Sequence, residues 1–524
     1  MLSKLHNFSA AGLLATTLIA SATFTATNLS TAMADENIMT VAVPFGPKGS
    51  VPDPRARQNG WISNRAGVSE TLIGLTYDMQ QAPRLAVSYD QISPTEWKIG
   101  LRKGVKFHDG SAMTAQDVKA SFEKLSEEGH SAHNPRLVKL LGIKEIKIVD
   151  DHTLVFETNT PNSAFLWSLT EPSAAVMKEG TKELPLIGTG PFVFKEAETG
   201  KFYRTVGFDQ YWGGKPNLDG LVLDTIPDPS VAALALRSGD VDVVTNFNEQ
   251  EFDKVKQSGD FNTYATETLR LFFIQPQTEK GPLKHKVLRQ AISLGLDRDL
   301  MVQVALANVG GAASKSIFPQ QMKSWVNKAV DLPFNVEKAK EILDAAGIKD
   351  SDGNGIREVD GADIVLKVRS YEGRPALKPS LEITQALLQQ IGIGAEVSMG
   401  EWGANNASLE AGEIDMHLQA WGTAPQGDPD YFPSTLVQTG AKYNVSGYSN
   451  SLVDKLLEQG RNEFDNEKRK VFYDEVQEII NEELPLIPLF HKTQVSVSSK
   501  AVEGYKIHPA ETYLATPELT LVKE

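Results

Sequence analysis

Residues 96–110, EWKIGLRKGVKFHDG, followed by Thr114–Val118, TAQDV, decide how this chain is read. In Glu96–Leu101 polar and apolar side chains alternate, the period-two pattern of a strand with one buried face. Asp109-Gly110 then turns the chain, because this dipeptide tolerates positive φ, and His108 is read as a structural residue of the turn. Thr114 opens a helix through Leu125, and Asp117, three residues on, supplies the acid of a capping box. A strand, a tight turn and a capped helix in so short a span place the chain among α/β or α+β folds.

The same alternation continues outward. Met39–Val43 and Leu154–Phe156 read as strands. Asn335–Ala346 is amphipathic and stops at Gly347; Leu381–Ile391 repeats the style and stops at Gly392, each glycine serving as a helix terminator. Leu452–Gln459 and Lys468–Glu482 are further amphipathic helices. No internal repeat and no low-complexity linker interrupts the series, so the domains are expected to be joined by crossing strands.

The 524 residues suffice for several domains and sizeable cores, and the chain has no cysteine. A net charge of −15 argues against a general nucleic-acid binder, which needs a basic footprint. Hydrophobic residues at 41% exclude a disordered chain. Residues 1–34 read as a secretory signal peptide: Lys4 is the basic n-region, Ala10–Ala20 (AAGLLATTLIA) the short apolar h-region, and Ala32-Met33-Ala34 the cleavage site before Asp35. Without a cysteine the exported chain has no lipid-attachment residue, so a soluble periplasmic protein is expected.

The quoted stretch, Trp97–Gly110 with Thr114–Val118, resembles the signature of extracellular solute-binding protein family 5, the peptide/nickel-type receptors of ABC importers. The resemblance continues in order through Gly188–Phe192 (GTGPF), Tyr211–Pro216 (YWGGKP), Arg237–Asp242 (RSGDVD), Val287–Ile292 (VLRQAI), Gly412–Asp415 (GEID) and Trp421-Gly422. It implies a two-lobed periplasmic-binding-protein fold, type II in its large family-5 variant, with two hinge-crossing strands. Lobe I would hold residues 35–276 and 492–524, with a sub-domain inserted at roughly 75–190, and lobe II would hold 277–491. The crossings are expected near Ile274–Gln277 and Leu486–Phe490. The lobes would close on a small ligand, and an ABC permease in the inner membrane would read the closed form of what is expected to be a monomer.

The resemblance also places the ligand loop at Trp421–Phe432 (WGTAPQGDPDYF), with Trp421 as an apolar or stacking wall and Tyr431 beside it. Peptide receptors of the family carry, three residues after the tryptophan, an aspartate for the peptide amine; here that position is Ala424. Asp428 or Asp430 could substitute. Nickel-type receptors carry a chelator-binding arginine just before a proline where this chain has Glu171-Pro172, and a histidine downstream of the Asp-Pro pair, where Ala441 falls nearest. His417 and His491 could replace that histidine, and His130 and His133 form a second histidine pair in the loop after the signature helix. In the same loop Arg136 could clamp a ligand carboxylate. The expected ligand is a nickel–chelate complex, with a short peptide as the alternative; no covalent cofactor is implied.

Other chemistry is poorly represented. H-E-x-x-H, G-x-S-x-G and Walker A patterns are absent, and Ser121–Lys124 matches S-x-x-K only inside the signature helix. Asp350–Gly355 (DSDGNG) begins like a calcium loop, but its twelfth position is Gly361 and not glutamate, so a hairpin turn is the favoured reading. A secreted hydrolase and a chemoreceptor co-sensor or chaperone stand as readings from other classes.

Overall fold

The computed structural model describes residues 37–56 and 58–522, so the signal-peptide reading of residues 1–34 lies outside the described residues. Their centre is a mixed sheet of eleven strands. On one side Ile38–Val43 pairs in parallel with Gly220–Thr225 and Val243–Val244, and antiparallel strands Phe202–Gly207 and Phe192–Glu198 extend the edge. On the other side Val365–Tyr371 pairs in parallel with Gly394–Gly400 and Met416–Gly422.

Two long strands, Asn262–Pro276 and Ile487–Ser498, join the halves. They are antiparallel partners, and their register slips twice, between Glu267 and Leu271 and between Phe272 and Phe273. Both lack the alternation of a one-sided strand: Ile487–Ser498 is buried at every position but one, and Asn262–Pro276 is almost continuously buried from Thr268 onward. A strand covered on both faces reads as an unbroken apolar run, which is why its sequence pattern carries no period.

The buried side chains fall into separate cores on the two sides. One gathers Phe272, Ile292, Leu366, Leu418 and Phe490. Another gathers Met39, Val41, Leu221, Leu223 and Val502. A third is drawn from residues 72–187 alone and is built on an antiparallel four-stranded sheet that includes Glu96–Leu101 and Thr153–Thr158. Trp97, Ile99 and Phe156 enter this core, and the helix Ala115–Glu123 adds Val118 and Phe122. The helix starts where Thr114 and Asp117 cap each other's backbone amides.

The signature motifs act as framework. Glu70 is fully buried and accepts hydrogen bonds from Arg84 Nε, Thr189 Oγ1, Tyr211 OH and Trp212 Nε1 at 2.9–3.0 Å. Tyr211 and Trp212 are thereby fixed around a buried carboxylate whose lone pairs are all used, which is what makes its burial tolerable. His108 sits where it was expected, in the turn: Gly188 N donates to its Nδ1, and its Nε2 lies 3.0 Å from Gly190 O. A Cβ on Gly188 would lie 2.1 Å from Val68 O, so only glycine permits this approach. Among the described residues no helix is long and apolar enough to cross a membrane.

Candidate functional site

The strand Met416–Gly422 sets the site. Period-two geometry puts His417, Gln419 and Trp421 on one face. Trp421 is half-buried and meets two other half-buried aromatics: Tyr443 at 5.2 Å and Trp402 at 5.9 Å between ring centroids, with Trp402 and Tyr443 5.8 Å apart. A chain of hydrogen bonds fixes the trio. Trp402 Nε1 donates to Gln419 Oε1, Gln419 Nε2 to Gln275 Oε1, and Gln275 Nε2 to Tyr443 O, at 2.8–3.0 Å. Three tilted rings held this way form a wall suited to an apolar or planar group.

Beside the wall lies a charged pair. Arg136 is bonded to Glu171, which is fully buried and also accepts from Gln426 Nε2 at 2.6 Å. Burial alone would lower the Arg136 pKa, but the Glu171 charge outweighs it and raises it further above the usual range. The Arg136 guanidinium also lies over the Tyr431 ring at 5.8 Å. Burial pushes the Tyr431 phenol up to about 12, so it stays a neutral donor. Both Glu171 oxygens are engaged, Oε1 by Arg136 and Oε2 by Gln426, as the cost of an unpaired buried charge requires.

Asp428 and Asp430 are each 1% exposed. Arg469 donates to both Asp428 oxygens at 3.0 and 3.1 Å, and Asp428 Oδ1 accepts from Asp430 N. Asp430 accepts from Ser434 Oγ at 2.7 Å and Tyr473 OH at 3.1 Å, with Arg461 Nε at 3.5 Å. Asp428 is thus held by Arg469 on both oxygens, while Asp430 is engaged through Oδ1 alone and its buried Oδ2 has no partner. Ala424, at the position between them and Trp421, is buried in the apolar core.

The four histidines do not converge. His417 is fully buried, its Nδ1 is 2.9 Å from Asn406 Oδ1, and its Nε2 has no partner. It lies four strand residues, about 13 Å, from Trp421. His491 shares a sheet row with Trp421, both opposite Leu271, and its Nε2 is held by Ser314 Oγ and Ser316 O at 3.3 and 3.2 Å. His130 accepts from Ala132 N and lies 3.4 Å from Glu179, while His133 Nδ1 has no partner. Among the described residues the one group of three metal-type donors is Asp352, Glu358 and Asp363, which includes no histidine. The Asp350–Gly355 stretch is a turn segment in which Asp350 accepts from the Gly353, Asn354 and Gly355 amides; it precedes the hairpin Glu358–Val359 with Ala362–Asp363, whose own turn is Asp360-Gly361 and not the expected Asp350–Gly355.

Burial holds several histidines neutral. It lowers His417 from 6.5 to about 3, and His108, His491 and His508 to about 4. Their folded-state pKa values lie below the unfolded value, so the unfolded chain binds more protons as the medium acidifies. The stability they contribute is complete above pH 6.5 and is lost as pH falls toward 4, at up to about 1.4 kcal/mol per pH unit for each residue. Urea unfolding from about pH 7 to about pH 4.5 should show this decline, and His417→Asn should flatten it by one proton. A midpoint constant over that interval would contradict the burial.

Sequence reasoning missed Trp402, Tyr443 and Gln426. Trp402 opens the helix Trp402–Ala411, Tyr443 and Gln426 lie in loops, and no local pattern marked them.

Comparison with known proteins adds context. The family described as bacterial extracellular solute-binding proteins, family 5 Middle, matches residues 80–444. The dipeptide-binding protein of Escherichia coli (strain K12) is 28% identical over 488 residues, covering 86% of each chain. The structure of NikA from Staphylococcus aureus in complex with Ni(L-His)2 superimposes with a TM-score of 0.81 at 21% identity, over 93% of this chain and 100% of that one. The ABC transporter-associated periplasmic binding protein DppA from Helicobacter pylori, in complex with the peptide STSA, gives a TM-score of 0.77 at 24% identity, over 93% and 98%. The fold is thus that of a two-lobed periplasmic binding protein.

Proposed function

The chain belongs to the bacterial extracellular solute-binding proteins of family 5, and from that membership we propose that it is the periplasmic receptor of an ABC importer of the peptide/nickel class. It closes two lobes on a small solute and presents the closed form to an inner-membrane permease. It acts as a monomer and turns nothing over. The leader pattern of residues 1–34 and the family's extracellular role support a periplasmic location.

The hinge reading rests on the two register slips of the long strands, at Glu267–Leu271 facing Thr493 and His491 and at Phe272–Phe273 facing Phe490 and Pro488, the second beside the expected crossings at Ile274–Gln277 and Leu486–Phe490. Residues 35–276 with 492–524, including the inserted 75–190 sub-domain, make one lobe; 277–491 make the other. The observation that carries the site is the trio Trp402, Trp421 and Tyr443 beside the Arg136–Glu171 pair. Trp421 and Tyr431 contact the solute, and Arg136 offers its remaining N–H groups.

The solute reading leans to a nickel–chelate complex. Buried Ala424 offers no partner for a peptide amine, and Asp428 is already engaged by Arg469. A relative that binds Ni(L-His)2 shares the fold. His491, in the same sheet row as Trp421, is the histidine best placed to face such a ligand; His417, His130 and His133 stand further off. The short-peptide reading is favoured by the 28% identical dipeptide-binding relative. Calorimetry with nickel plus free histidine, against di- and tripeptides, separates the two. Saturable binding that requires nickel is expected; peptide binding without metal dependence would replace the nickel reading.

A further inference from the structure

Under the lobe division proposed above, two aromatic rings of one lobe lie on glycines of the other. Phe45 follows the strand Ile38–Val43, and the glycine it meets, Gly373, follows the strand Val365–Tyr371. Trp167 lies in the short helix Phe165–Ser168 of the inserted sub-domain, and the glycine it meets, Gly427, lies in the loop after the strand Met416–Gly422. Both rings are half-buried. Phe45 packs against the core that holds Ile292, Leu366 and Leu418, and Trp167 against the core that holds Phe432, Leu456 and Tyr473. Each ring thus reaches into apolar packing built mainly by the opposite lobe.

Neither contact leaves room for a side chain. A Cβ on Gly373 would lie 2.7 Å from Phe45 Cε1 and 2.8 Å from its Cζ. A Cβ on Gly427 would lie 2.6 Å from Trp167 Cζ3 and 3.0 Å from its Cε3. Both glycines also sit at positive φ, 92° and 83°. Polar links run beside each ring. Gln426, next to Gly427, donates to Glu171 of the sub-domain, and Ser163 N donates to Arg461 O at 2.7 Å. Arg374, next to Gly373, donates to Asn246 and Glu511 of the first lobe.

A ring against a bare Cα is a hard contact. Closer approach meets the backbone, and a small gap already forfeits much of the dispersion attraction. A methyl at either glycine would strain its loop in the open and closed forms alike, because the positive φ belongs to the loop itself. It would meet the ring only when the lobes are together. The ring contact therefore acts on the balance between open and closed forms, whereas the strain does not.

We propose that Gly373 under Phe45 and Gly427 under Trp167 are the two stops of lobe closure. They set the single spacing at which the halves lock. Two seats on separate loops fix the tilt of the lobes as well as the depth of closure, so that one closed form is presented. The inference rests on the two-lobe receptor reading and adds the residues on which closure ends.

The test needs no solute. The chain has no cysteine of its own, so S163C and R461C together supply a thiol pair that a short bis-maleimide bridges when the lobes meet. The full mature chain carrying this pair, freed of co-purified solute by reversible unfolding, is the common background. G427A and G373A are each expected to slow bridging about tenfold, since the ring must leave its rotamer before the lobes can lock. G427A with W167L, and G373A with F45L, replace the ring by a smaller side chain and should recover most of the rate; that recovery also shows that the glycine variants fold. G440A is the control for backbone strain: Gly440 has φ 68° and open space where its Cβ would point, so its rate should match the background. Calorimetry of the background chain with nickel–histidine and with trialanine runs beside it. Equal bridging in the background, G427A and G373A, equal slowing by G440A, or no recovery in either double variant would overturn the stops whatever the solutes do. Ring-dependent bridging in a chain that binds neither nickel–histidine nor trialanine would uphold the stops and count against the receptor reading instead.

Discussion

Asp428→Ala is expected to lower the unfolding free energy by about 3–5 kcal/mol, the cost of leaving a buried partner charge uncompensated. Its bidentate partner Arg469 is 2% exposed, and Asp428 is 1% exposed. Arg469 Nε is also committed, donating to Gly460 O at 2.9 Å, and its guanidinium lies 5.3 Å from the Trp325 ring. The Asp428 charge holds the Arg469 guanidinium above its usual range against the opposing effect of burial. Once the carboxylate is gone, that cation has no other acid at ion-pair distance among the described residues. Urea unfolding measures the loss. The double variant Asp428→Leu with Arg469→Met should recover most of it, because an apolar pair of similar size imposes no desolvation cost. If Asp428→Ala instead folds as stably as the wild type and only loses ligand affinity, the residue faces the solute and the framework assignment is wrong.

Trp421→Ala should weaken solute binding by about 2–4 kcal/mol, the loss typical of a central aromatic anchor. Trp421 is half-buried and meets both Trp402 and Tyr443, so its removal opens the wall from the middle. Stability should change less than affinity, because the Gln275–Gln419 relay that carries Trp402 and Tyr443 does not pass through Trp421. Calorimetry with the probe that binds the wild type reads the effect. An unchanged dissociation constant would show that the solute contacts another surface.

Local grammar made much of the fold legible. Asn335 was readable as a helix boundary and caps Val336–Ala345 by accepting from Lys338 N. Gly347 and Gly392, read as stops, adopt φ of 76° and 78° just past their helices. Glu96–Leu101 needed only its alternation. The crossing strands were harder. The prolines near Gln275 and Pro488 pointed to one end of them, beside the register slip at Phe272–Phe273, whereas the other slip lies at Glu267–Leu271, where two-sided burial erases the period.

The site was legible where one residue carried it, as with Trp421, and illegible where residues distant in sequence had to meet. Asp428 was readable as an acid in a ligand loop. That Arg469 would claim it from the helix Asn466–Glu483 was not, since nothing in either segment encodes the other. The same holds for Glu511 and its arginines at positions 65, 270 and 374. Each reads alone as an ordinary charged residue, and only the folded chain reveals the excess of positive charge.

Small-angle scattering on the stripped chain, before and after adding back the solute released from natively purified protein, bears most directly on the two-lobe closure. The account predicts a smaller radius of gyration when the solute is bound, as the lobes swing together about the crossing strands Asn262–Pro276 and Ile487–Ser498. Superimposable curves at saturating solute would contradict it.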